Sequence, residues 1–216
     1  DLVDEAVSLA NEIGGTVHAG PIDAARWRTG RMADYRASIA VRTEQALKFR
    51  DHSVGISLAS IAKQQELLGD DAGLVTTRET LERITRDARL EPWQHAALHK
   101  YATEVALLCN DPIAARRHAV EASKAAFAQE SVVDEPLYLR ETAWTCVDEC
   151  YVKIGDFDAA IASYSRRHPW IPRPYLAGAG RWKELGAAHA NCAGPEDAAE
   201  YGLEVIKHLA ERVQSN

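Results

Sequence analysis

Residues 144–164 read WTCVDECYVKIGDFDAAIASY, and their spacing decides the fold. Trp144, Val147, Tyr151 and Ile154 stand three, four and three positions apart, which puts them on one face of an α-helix. Gly155 and Asp156 then interrupt that face. Glycine ends a helix by taking the left-handed conformation, and aspartate starts the next one by accepting from its first free amides. Phe157, Ala160, Ile161 and Tyr164 resume the helical period. Two helices joined by so short a break pack antiparallel.

The same break recurs along the chain. Gly30, Gly69, Asn110, Gly155 and Gly194 are each followed, five positions later, by an apolar or small residue: Tyr35, Leu74, Ala115, Ala160 and Ala199. The anchors are separated by 39, 41, 45 and 39 residues. A period near 40 without sustained alternation of β-branched residues predicts an all-α stack of helical hairpins. The spacing predicts a leading helix over 2–14 and pairs over 22–29/33–50, 52–68/72–88, 92–109/112–128, 136–154/157–167 and 175–192/195–212. About five pairs and a half-repeat exhaust the chain, so residues 1–216 are expected to form a single helical-repeat domain.

The quoted stretch resembles a tetratricopeptide repeat (TPR): Trp144-x-x-Val147-x-x-x-Tyr151-x-x-x-Gly155-Asp156-Phe157-x-x-Ala160-x-x-x-Tyr164, closing at Pro172. Trp182-x-x-Leu185-Gly186-x-x-His189 is similar to its first-helix half, and Leu58-x-x-Ile61-Ala62 with Gly69-Asp70 is a weaker copy. The resemblance implies an α-α superhelix of TPR-like hairpins. The longer period resembles the sensor or effector portions of bacterial transcription regulators, and the Ala- and Arg-rich composition resembles that of actinobacterial proteins. It also implies that successive first helices line a concave face. The inward positions would be Lys63 and Glu66, Lys100 and Glu104, Thr145 and Glu149, and Lys183.

Composition narrows the classes. The 216 residues are 46% hydrophobic and 26% charged, an ordinary globular balance. No apolar run approaches the roughly 18 residues of a membrane span, and no basic start with an apolar core marks a signal peptide. The net charge of −7 disfavours direct binding of nucleic acid. Cys109, Cys146, Cys150 and Cys192 are too few for a disulfide scaffold and read as free thiols of a cytoplasmic protein. The only methionine is Met32 and the chain starts at Asp1, so an excised domain of a longer protein is expected.

Candidate chemistry is thin. His95 and His99 share a helix face at metal-ligand spacing, without the intervening glutamate of a zinc hydrolase, and read as ordinary polar-face histidines. Cys146, Cys150, His189 and Cys192 are a conceivable zinc set, but structural zinc clips short loops and packing is the stronger reading. Arg26, Arg28 and Arg31 beside Trp27 read as a solvated helix end. Arg166, Arg167 and His168 complement a helix C-terminus. Gly178-Ala179-Gly180 lacks the context of a phosphate loop. No catalytic constellation stands out, and no metal or cofactor is expected.

The functional expectation is therefore a non-enzymatic regulatory domain that binds a peptide, a protein or a small effector in its concave groove. The alternative is a general protein–protein interaction scaffold. Glu104 and Glu149 argue against a clamp for a terminal carboxylate. The sequence leaves homodimerisation through an end face open.

Overall fold

A computed structural model describes residues 19–190, apart from Ala88, residues 133–135 and Trp170. Among the described residues every regular element is an α-helix. They are α1 (Ala19–Arg28), α2 (Met32–Ala46), α3 (Ser53–Leu68), α4 (Asp71–Ile84) and α5 (Pro92–Leu108), followed by α6 (Pro112–Glu130), α7 (Leu137–Lys153), α8 (Phe157–Ser165), α9 (Arg173–Gly178) and α10 (Trp182–Ala190). The expected helix over 2–14, the Gly194 break and the helix over 195–212 lie outside the described residues.

Five tight turns organise these helices, and all have one construction. Gly30, Gly69, Asn110, Gly155 and Gly180 have positive φ, between 54° and 75°. At each turn the left-handed residue donates its amide to the carbonyl three residues back, and its successor donates to the carbonyl five back of itself. At Gly69 these bonds run to Glu66 and from Asp70 to Gln65, at 3.0 and 2.8 Å. This double bond pattern satisfies the carbonyls that a helix end leaves open. The residue five positions after each turn is buried: Tyr35, Leu74, Ala115, Ala160 and Leu185.

Gly180 is the one departure from the expected anchors. The helix expected over 175–192 is interrupted at residues 179–181, and Trp182 opens α10 instead of continuing a first helix. Arg181 donates to the Leu176 carbonyl at 2.9 Å, as at the other four turns. The even period hid this turn, since Gly180 follows Gly155 by only 25 residues.

The helices pack in chain order. Each pair is closed by contacts between its own two helices, and each second helix (α2, α4, α6, α8) also packs on the next first helix. First helices touch in turn, α1 on α3, α3 on α5, and α5 on α7. Close approach depends on small residues. Ala102, Ala106, Ala115, Ala119 and Ala122 are buried at and around the α5–α6 seam. A Cβ on Gly55 would stand 2.7 Å from the Tyr101 ring, so α3 and α5 could not lie so near with any larger residue there. Aromatic side chains fill the wider gaps. Trp144 is buried, meets Phe127 edge-on at 4.9 Å and donates its indole N–H to Glu130 at 2.9 Å.

The capping aspartates tie one pair to the next. Asp70, Asp111 and Asp156 each use Oδ1 to accept an amide in the first turn of their own helix, from Gly73, Ala114 and Ala159. Each uses Oδ2 to accept from the second helix of the preceding pair. The donors are Tyr35 at 2.9 Å, Arg78 at 3.2 Å and Arg116 at 3.2 Å. Burial and this hydrogen bond to Asp70 raise the Tyr35 phenol well above its ordinary value.

Gly180 and Gly186 make a matched test. Gly180 has φ +70°, whereas Gly186 lies inside α10 with open space around its Cα. In urea melts Gly180→Ala should cost about 1–2 kcal/mol, while Gly186→Ala should be neutral or gain up to about 1 kcal/mol.

Candidate functional site

Four of the seven positions expected from the sequence, Lys63, Lys100, Glu104 and Glu149, fall into one interlocked row. Lys63 on α3 reaches Glu104 on α5 at 3.0 Å, and Lys153 on α7 reaches the same carboxylate from the other side at 3.0 Å. One turn earlier, Lys100 on α5 pairs with Glu149 on α7 at 2.9 Å. Lys100 and Glu104 are four residues apart, as are Glu149 and Lys153, so each pair stacks on one helix face. The row thus crosses three first helices, and its members mostly neutralise one another.

The electrostatics follow from this pairing. Only 10% of the Glu104 side chain is exposed. That burial opposes its ionisation, but the two ammonium groups of Lys153 and Lys63 reverse the effect and hold the carboxyl below its ordinary range. Burial likewise works against the Lys100 ammonium, and the Glu149 carboxylate more than compensates, so its pKa is raised. Lys100 also lies 4.8 Å from the centroid of the Tyr101 ring, where the ring face attracts the cation.

Beside the Lys100–Glu149 pair lies an open cleft of about 700 Å³. Its other walls come from α7: Leu137, Tyr138, Glu141, Thr142, Thr145 and Cys146. Leu137 and Tyr138 stand in the first turn of α7 and are 70% and 66% exposed. Thr145 donates its hydroxyl to the Glu141 carbonyl at 2.8 Å, which turns that polar group back onto its own helix. Cys146 is buried, and burial pushes its thiol up to about 11; Cys150 behind it is pushed up to about 12. Both are free thiols that stay protonated near neutral pH, which makes them poor nucleophiles.

The remaining expected positions sit apart from the row. Glu66 is exposed in the last turn of α3, and Lys183 is exposed on α10, after the Gly180 turn. Lys153 belongs to the row and was not among the expected residues. Its signal was the Glu149-x-x-x-Lys153 spacing, the counterpart of Lys100-x-x-x-Glu104.

Three other clusters differ in part from their sequence readings. Arg167 follows the end of α8 as expected, but its side chain is committed to α7 rather than to the helix end alone. It is largely buried, bonds Asp148 and Glu141 of α7, and lies beside the Trp144 ring. In the cluster near Trp27, Arg26 is held by Asp23 and Arg31 by Asp34, while Arg28 is exposed at the helix end as expected. His99 does not occupy a polar face. It is buried, and its Nδ1 stands 3.1 Å from Nδ1 of the buried His118 on α6. One ring must donate and the other accept, so at least one imidazole of the pair is neutral. The Nε2 of His118 lies 4.0 Å from a Glu82 oxygen, too far for a hydrogen bond. Among the described residues no group of three or more His, Cys, Asp or Glu could hold a metal. Of the conceivable zinc set, the His189 side chain and Cys192 lie outside the described residues. No described helix is long and apolar enough to cross a membrane.

No protein-family model, no curated protein and no solved structure matches this chain.

The histidine pair sets a pH dependence. Burial first, then the neighbouring His118, lowers His99 to about 4, and burial also lowers His118. A histidine held neutral in the fold contributes stability above its unfolded pKa near 6.5, and that contribution fades as pH falls towards the folded value. Denaturant melts should therefore show about 2 kcal/mol lost between pH 7 and pH 5. A His99→Leu/His118→Leu variant should flatten that slope; an unchanged slope would show that the loss arises elsewhere.

Proposed function

We propose that this chain is a non-enzymatic binding module whose helix pairs coil as in tetratricopeptide repeats, with α3, α5 and α7 on the inner side. A peptide or protein partner docks across these first helices, in the cleft between Lys100 and Tyr138. The observation that carries the reading is the exposure of Leu137 and Tyr138 beside a charged row that is already paired. An ordered row with its charges satisfied needs no partner to neutralise it. Recognition then falls to the apolar anchors, with Glu141, Thr142 and the Lys100–Glu149 pair as a polar rim.

The pairing also supports the expectation that a terminal carboxylate is not clamped here. Lys63 and Lys100 would have to leave Glu104 and Glu149 to receive it. A place in a bacterial transcription regulator, with the partner or a small effector as its signal, rests on the sequence resemblance alone. The interaction-scaffold reading uses the same surface and differs only in what the module is attached to.

The test is selection of peptides from a random displayed library on the purified chain, followed by calorimetry. Selected peptides should bind Tyr138→Ala at least tenfold more weakly, and Lys100→Ala should alter affinity while its far-ultraviolet circular dichroism stays native. Peptides that bind both variants as tightly as the parent chain would overturn the assignment of this face. So would unfolding of Lys100→Ala.

A further inference from the structure

A second cavity, of about 600 Å³, lies at the loop edge of the stack, away from the charged row. It opens between the end of α2, the first turn of α3, the end of α4 and the connection to α5. Leu47, Phe49, Val54, Ile84 and Leu90 supply its apolar wall. Val54 belongs to the main core cluster and Ile84 and Leu90 pack on it, so the floor is held rigidly. Leu47 and Phe49, in contrast, are exposed beside the cavity, where an apolar occupant would cover them.

The charges around this cavity are unevenly committed. Asp51 accepts the Ser53 amide at 2.8 Å, which holds its carboxyl below the usual range. Asp87 is gripped by Arg89 through three hydrogen bonds of 2.6–3.2 Å and is held at about 2. Asp87 and the Arg89 guanidinium thereby neutralise each other, whereas Asp51 keeps its charge with only an amide partner. Two further guanidinium groups line the cavity, those of Arg50 and Arg83, and among the described residues neither makes an ion pair or a side-chain hydrogen bond. Three arginines against two aspartates leave the cavity lining with one positive charge, in a chain whose net charge is −7.

We propose that this cavity binds a small organic acid, with its carboxylate held by Arg50 and Arg83 and its aliphatic or aromatic body against Phe49, Val54 and Leu90. Guanidinium groups suit a carboxylate because their planar forks donate two parallel hydrogen bonds. The volume falls within the range of small-molecule sites, and a lining half charged and half apolar suits a ligand with one charged end and an apolar body. The site is independent of the peptide-binding face, so either assignment can fail without the other.

The probe is 1-anilinonaphthalene-8-sulfonate, an anion with an apolar body, with decanoate and decanol as competitors. On the full chain its fluorescence should saturate at one site. Decanoate should displace it at least tenfold more effectively than decanol. An Arg50→Gln/Arg83→Gln variant should bind the probe at least tenfold more weakly; both residues are exposed, and circular dichroism checks that the fold is kept. Arg86→Gln, an exposed neighbour that does not line the cavity, should bind as the parent chain does. Absence of saturable binding would overturn the proposal, as would equal displacement by decanol or an equal loss in Arg86→Gln. Sedimentation with anionic phosphatidylglycerol vesicles that needs Arg50 and Arg83 but resists decanoate would replace it with a lipid-surface site.

Discussion

The two oxygens of a capping aspartate hold this structure in order. One oxygen accepts an amide in the first turn of its own helix, and the other accepts from the second helix of the preceding pair. The same division of labour appears at Asp70, Asp111 and Asp156. A cap on its own fixes where a helix starts and is worth about 1 kcal/mol. Sharing the carboxylate also fixes how far one hairpin slides along the next. Apolar seams lined by alanine tolerate sliding, because small side chains offer few interlocking shapes. A hydrogen bond to a charged acceptor does not tolerate it, since the contact weakens steeply with distance and angle.

Register set in this way has a consequence on the other side of the pairs. With the hairpins held in step, the first helices α3, α5 and α7 bring their Lys and Glu residues level, and the crossing ion pairs form. A slip of one residue would rotate each helix by roughly 100° and separate them. Exposed ion pairs contribute little stability, but the nearly enclosed Glu104 would be costly to leave unpaired. The paired row therefore reports the register and gives the face a fixed shape. Leu137 and Tyr138 stand on that face without a cover within the described residues.

Much of this was legible in the sequence, and the gaps have physical causes. The turns could be read because each needs a residue that tolerates positive φ followed by a buried one five places on. Gly180 with Leu185 obeys the same rule, and only the assumption of an even period concealed it. The charged positions Lys63, Lys100, Glu104 and Glu149 are picked out by the resemblance to a tetratricopeptide repeat, which assigns matching positions on successive first helices. Their pairing could not be read, because that depends on the register between helices. The same holds for His99 with His118, and for Arg167, whose partners lie on α7. The cavity at Arg50 and Arg83 assembles from four separate segments, and no local pattern marks it.

The claim that the capping carboxylates couple neighbouring pairs is tested most directly by a double-mutant cycle at Tyr35 and Asp70, read in urea melts. Tyr35→Phe removes the donor from the second helix, and Asp70→Ser keeps a capping oxygen for the Gly73 amide while removing the second acceptor. Coupling on the order of 1 kcal/mol or more between the two substitutions is the predicted result. Losses that simply add, to within about 0.3 kcal/mol, would contradict the account.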